Sequence, residues 1–143
     1  MLPKSQLIAQ WRELNSIFKK QDNHILINYI YEYDKEELLE YTCYVIQTMQ
    51  RNGIKINSYE NLQNYFGLTD KEIMSLMFLD QTLIKFIPFK KHHTLRYLKQ
   101  CFWNLAEKYD RGQKDFDEKL YQRLEKYVKG LEQIIENYME ERK

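Results

Sequence analysis

Apolar residues recur along this chain at intervals of three and four, the period of an amphipathic helix, and the pattern is broken only at a few turn signals. Pro3 suits a first helical turn, and Leu7, Ile8, Trp11, Leu14 and Phe18 continue one stripe, predicting a helix to about Phe18. After a polar break at Lys19 to Asn23, His24 opens the run Ile25, Leu26, Tyr29 and Ile30, a short helix expected to end near Tyr33. Asp34 with Glu37 has the spacing of a capping box, and the stripe Leu38, Leu39, Thr42, Val45, Ile46 and Met49 runs on to Gly53.

The second half repeats the logic. Ser58 to Phe66 reads as a short helix stopped by Gly67. Thr69 and Glu72 form a second capping-box pattern ahead of Ile73, Leu76, Met77, Leu83 and Ile84, with Pro88 as the break. From His92, Leu95, Leu98, Phe102 and Leu105 lead to Tyr109, and Gly112 supplies a cap. The tail from Asp115 carries Phe116, Leu120, Leu124, Tyr127, Leu131, Ile134, Ile135 and Tyr138 among Glu and Lys, one long surface helix. Gly130 interrupts it at a cost of about 1 kcal/mol relative to Ala, which suggests a bend or a close helix contact. The expected architecture is all-α: one compact domain over residues 1–143, of about six helices with a long C-terminal one, and with no repeat, linker or low-complexity tract.

Composition narrows the functional classes. Twelve Tyr against four Gly and two Pro favours helix over turns, and 143 residues is the size of one domain with a sizeable core. A net charge of +1 removes any blanket electrostatic case for nucleic acid or a membrane surface, so a basic footprint has to be local. Cys43 and Cys101 both sit among apolar neighbours, as buried free cysteines do, which points to a reducing, cytoplasmic setting. No apolar run approaches the roughly 20 residues of a membrane span, and no signal pattern opens the chain.

Three groups of residues carry candidate chemistry. Arg12 and Glu13 put a guanidinium beside a carboxylate on the first helix, an arrangement that serves acid/base work or phosphate binding and equally an ordinary solvated ion couple. His24, His92 and His93 have no Cys or carboxylate spacing that matches a metal signature, so neither metal nor cofactor is expected. Between residues 85 and 111, Lys85, Lys90, Lys91, Arg96, Lys99, Lys108 and Arg111 face only Glu107 and Asp110, interleaved with Phe89, Tyr97, Phe102 and Trp103. Such a patch suits phosphate contact with base stacking, and it also suits a core stripe with a solvated back.

The run Leu-Pro-Lys-Ser-Gln-Leu-Ile-Ala-Gln-Trp-Arg-Glu-Leu at 2–14, then Ile17-Phe18 and His24 without a gap, resembles the start of the pyrimidine-dimer DNA glycosylases, the phage endonuclease-V-like enzymes. His24 through Tyr-Ile-Tyr-Glu-Tyr, Tyr44 to Met49, Asn-Gly-Ile-Lys-Ile at 52–56, and Arg96 to Gly112 are similar to further family blocks. Residues 1–57 and 89–112 are thus family-like, whereas 58–88 and 113–143 are not placed by the resemblance.

The resemblance implies a DNA-repair function: a helical DNA glycosylase and AP lyase that grips kinked duplex DNA, flips a base and attacks the sugar carbon with an N-terminal amine. An α-amine has a pKa near 8, which leaves much of it nucleophilic at neutral pH. Glu13 would then be the catalytic carboxylate, and Arg12 would join it by holding phosphate or positioning substrate. The implied DNA contacts are Arg12, His24, Lys90, Lys91, His92, His93, Arg96 and Lys99. A second basic residue of the family falls on Ser16.

Family members carry an arm of about ten residues ahead of the Leu-Pro block, and the Met1 amine cannot span the roughly 15 Å from helix start to Glu13. The enzyme reading therefore expects a start further upstream. The alternative is a catalytically inactive relative serving as a DNA- or protein-binding module. The expected partner is damaged or kinked double-stranded DNA, with no membrane, a monomeric state, and a protein partner as a further option.

Overall fold

The computed structural model describes residues 2–20, 28–78 and 88–141. Their elements follow in the order α1 (Lys4–Lys20), a 3₁₀ turn (Asn28–Glu32), α2 (Lys35–Arg51), α3 (Glu60–Phe66), α4 (Asp70–Met77), α5 (Leu95–Asp110) and α6 (Glu118–Glu140). No strand occurs among the described residues, so the protein is all-α with a long last helix, as the periodicity predicts. Contacts between residues cluster in two compact units: Lys4–Lys90, and Lys91–Lys143 with Met1–Pro3.

In the first unit α1 packs on α2 and α3, and α2 packs on α4. The predicted stripes are the buried ones: Leu7, Leu14, Ile17 and Phe18 on α1, and Leu38, Cys43, Val45, Ile46 and Met49 on α2, with Leu62 and Ile73 from the two short helices. Phe18 meets the rings of Tyr65 and Phe66 at 5.3 and 5.6 Å. Polar ties lock the packing. Asn15 donates to the Trp11 carbonyl at 2.8 Å and accepts from the Asn61 amide at 3.0 Å, fastening α1 to α3. The buried Gln47 amide donates to the Leu76 carbonyl at 3.2 Å, fastening α2 to α4.

Local signals succeed unevenly. At α4 the capping box forms as read: the Thr69 hydroxyl accepts from the Glu72 N–H at 3.2 Å, and the Glu72 carboxylate accepts from the Thr69 N–H at 2.7 Å. That helix ends at Met77, short of the expected run towards Pro88; Leu83 and Ile84 lie outside the described residues. At α2 the box does not form. Asp34 stands at the N-cap position without a side-chain bond, the Glu37 N–H going to the Asp34 backbone carbonyl at 3.0 Å, and the Glu37 carboxylate, which would close the other half of the box, is taken by the Phe89 N–H at 2.7 Å. Of the short helix expected from His24, the described part is the 3₁₀ turn.

The Glu37 bond explains an unusual backbone. Phe89 has φ +57, the left-handed region that costs a non-glycine residue roughly 1–2 kcal/mol. Its ring is only 1% exposed and is boxed by Tyr29, Tyr33 and Tyr41 at centroid distances of 5.6, 5.2 and 5.8 Å. Burial of a full aromatic ring, with the N–H met by a carboxylate, outweighs the strain.

In the second unit α5 packs against α6. Thr94 caps α5 by accepting from the Tyr97 N–H at 3.3 Å, and Asp117 caps α6 by accepting from the Leu120 N–H at 2.8 Å. Between them Gly112, at φ +77, closes α5 by donating to the Tyr109 carbonyl at 2.8 Å, a conformation that glycine adopts without strain. The turn stacks Tyr109 on Tyr121 at 4.4 Å and sets Phe102 5.9 Å from the same ring. Lys99 of α5 pairs with Glu132 of α6. Gly130 does not mark a close contact: among the described residues nothing stands within 4 Å of where its Cβ would be, and α6 runs through it unbroken.

Candidate nucleic-acid interface

The face of α1 opposite its core stripe is the first candidate. At 100° per residue, Arg12 shares a side with Ser5, Ile8, Ser16 and Lys19, while Glu13 lies a step further round. Arg12, Glu13, Ser16 and Lys19 are all exposed, and Ile8 is 38% exposed. Trp11, next to the pair, is half-buried edge-on against Tyr59 at 6.1 Å, which fixes the rotation of the helix and so the direction of both charges. Among the described residues neither Arg12 nor Glu13 has an ion-pair partner. They are presented outward separately, available to a ligand. His24, the third member of this expected set, lies outside the described residues.

The second candidate is the basic, aromatic stretch, and the structure sorts its members. Phe89 belongs to the core of the first unit and is removed from any stacking role. Lys90 and Lys91 are exposed; His92 and His93 are half-buried, His93 stacked on Tyr97 at 5.3 Å with planes 7° apart. On α5, Arg96, Gln100 and Trp103 fall at i, i+4 and i+7, one outward line, and Trp103 is 67% exposed. Lys99 is engaged by Glu132, and Arg111 by Glu107 one turn back. Lys85 is outside the described residues. The expected contacts therefore divide, with Arg12, Glu13 and Lys90 in one unit and Lys91, His92, His93, Arg96 and Lys99 in the other.

Other chemistry finds little support. A small apolar cavity of about 10 Å³, lined by Cys43, Ile46, Leu62, Ile73, Leu76 and Met77, has room for about one water and no polar group to hold it. Burial, aided by the Glu40 carboxylate, pushes the Cys43 thiol up to about 11, and burial also raises Cys101, against a hydrogen bond with Tyr97. Both are free thiols held protonated at neutral pH, unsuited to nucleophilic work. Among the described residues no three His, Cys, Asp or Glu side chains converge as a metal site, and no helix is long and apolar enough to cross a membrane.

These features define a class first: an all-helical protein offering an outward Arg-Glu pair on its first helix and a basic, aromatic line on its fifth. The particular likeness follows. Residues 1–62 match the family model described as pyrimidine dimer DNA glycosylase, and over that stretch the chain is similar to the family. The match bears out the resemblance read from the Leu-Pro to Leu14 run and the block after it, and it spans α1, α2 and the start of α3. The resemblance at Arg96 to Gly112 lies beyond the matched residues. No curated protein and no solved structure matches the chain.

Proposed function

We propose that this protein acts on damaged or distorted duplex DNA as a DNA glycosylase and AP lyase of the pyrimidine-dimer type. The observation that carries the reading is the family match over residues 1–62, whose α1 turns Arg12 and Glu13 to solvent instead of spending them on packing. Chemistry on a stacked base requires taking it out of the helix, and the sugar carbon then becomes reachable. An α-amine attacks that carbon, the base departs with the bonding electron pair, and Glu13 takes up the proton shed by the attacking nitrogen. Arg12 binds a flanking phosphate through its guanidinium fork.

Lys90, Lys91, His92, His93 and Arg96 supply backbone contacts that position the duplex, while Trp103 offers a ring on which an unstacked base can rest. Lys99 contributes less to phosphate binding, because Glu132 already neutralises it. Anisotropy titration of a duplex holding one abasic site tests the reading. Affinity is expected to fall steeply with salt, and Arg96→Ala to reduce the salt slope by about one. Absent or salt-independent binding contradicts the proposal; binding without strand cleavage leaves only a DNA-binding module.

A further inference from the structure

Burial holds α1 down but does not by itself aim it. Its buried stripe, Leu7, Leu14, Ile17 and Phe18, packs by apolar contact, which has no preferred direction and resists rolling of the helix less sharply than a directional contact does. Arg12 and Glu13 stand exposed on that helix, with side chains that end about 6 Å from its axis. A roll of about 10° therefore carries them by roughly 1 Å, and a misplacement of that size costs about a hundredfold where a group must meet a reacting atom.

Two directional contacts bracket the pair, and both come from the start of α3, where Tyr59 holds the N-cap position and Asn61 the first turn. Trp11, just before the pair, meets the Tyr59 ring edge-on at 6.1 Å with planes 66° apart. Asn15, two residues beyond it, accepts from the Asn61 amide at 3.0 Å. Its own amide is spent on the Trp11 carbonyl at 2.8 Å, so Asn61 grips an acceptor fixed to the backbone of α1. Trp11 and Asn15 lie one turn apart and only about 40° apart around the helix, which makes them a single edge. One contact would let α1 pivot about it; two, a turn apart, fix roll and slide together. Tyr59 is itself anchored, its hydroxyl hydrogen-bonded with the Gln50 side chain of α2.

We propose that Tyr59 and Asn61 are positioning residues for the chemistry at Glu13, acting through Trp11 and Asn15 to hold α1 at the roll and register in which the carboxylate meets the attacking amine. The inference rests on the glycosylase and AP lyase reading of Glu13 and goes beyond it, because Tyr59 and Asn61 reach the substrate only through the helix that they hold. Duplex binding draws on phosphate contacts spread along the protein, whereas the carboxylate has one productive place. Loosening the edge is therefore felt in rate and not in affinity.

Single-turnover borohydride trapping on a duplex with one abasic site tests the proposal, with protein produced from the natural start of its gene and DNA in saturating excess. Tyr59→Leu and Asn61→Ala are each expected to slow adduct formation about tenfold or more, while duplex affinity stays within about threefold of the parent. Tyr59→Phe, which keeps the ring and loses only the hydroxyl, is expected to trap at nearly the parent rate. Trapping at the parent rate in both Tyr59→Leu and Asn61→Ala overturns the proposal even where the two variants unfold more easily, since their role is then structural alone. So does Tyr59→Phe as slow as Tyr59→Leu, which would leave the ring contact without effect. A parent protein that gives no adduct contradicts the glycosylase reading itself, and this proposal falls with it.

Discussion

At the scale of single residues, Phe89 and Glu37 show how a distant contact can overrule a local rule. Asp34-x-x-Glu37 has the letters of a capping box, yet Glu37 spends its carboxylate 52 positions away on the N–H of a left-handed Phe89. Removing the ring by Phe89→Ala is expected to lower unfolding free energy by about 3–5 kcal/mol, the range for emptying an aromatic core site. Glu37→Ala, which leaves a part-buried donor unmet, should cost about 1–3 kcal/mol. Urea titrations measure both, and a Glu37→Ala protein as stable as the parent would remove the anchor role. Cysteine chemistry is predictable at the same scale. With Cys43 4% exposed and its thiol raised to about 11, a thiol reagent at pH 8 should label Cys101 well before Cys43. Equal rates would contradict the burial described here.

At the scale of elements, helices were legible wherever a stripe and a cap agreed. Thr69 and Glu72 predicted the start of α4 because both partners lie within one turn and answer only to each other. Bonds from the Thr69 N–H and hydroxyl hold the Glu72 carboxyl below its ordinary value of 4.5, with slight desolvation opposing. A carboxyl depressed in the folded state stabilises above its unfolded pKa and loses that contribution as pH falls through the folded one. Acid titration from pH 5 downward is therefore expected to destabilise the parent more than Glu72→Gln; identical acid profiles would remove the cap from the account. The exposure of Tyr127 and Ile134 on α6 was not legible, because a wide apolar face reads the same in sequence whether one neighbour covers it or two. Gly130 was misread for a related reason: a helical glycine signals room for something, and only coordinates say what stands there.

At the scale of the molecule, the all-α class and the likeness of residues 1–62 to the family model were accessible from the chain because both rest on local patterns, the three-four period and the run around Arg12-Glu13. The candidate site was accessible in part. The exposure of Arg12 and Glu13 follows from the position of Leu7, Leu14 and Ile17, which a helical wheel shows. That Phe89 is core and Lys99 is paired does not follow, since both facts depend on residues far away in sequence, Glu37 and Glu132. The basic stretch looked like one patch in one dimension and divides between two packed units in three.

The central claim is that Glu13 serves amine chemistry on damaged DNA. Borohydride trapping tests it most directly, using protein produced from the natural start of its gene and a duplex with one abasic site. The account predicts a covalent protein–DNA adduct that Glu13→Gln abolishes while the helical spectrum and salt-dependent binding persist. No adduct with the parent protein, or an adduct undiminished in Glu13→Gln, would contradict it.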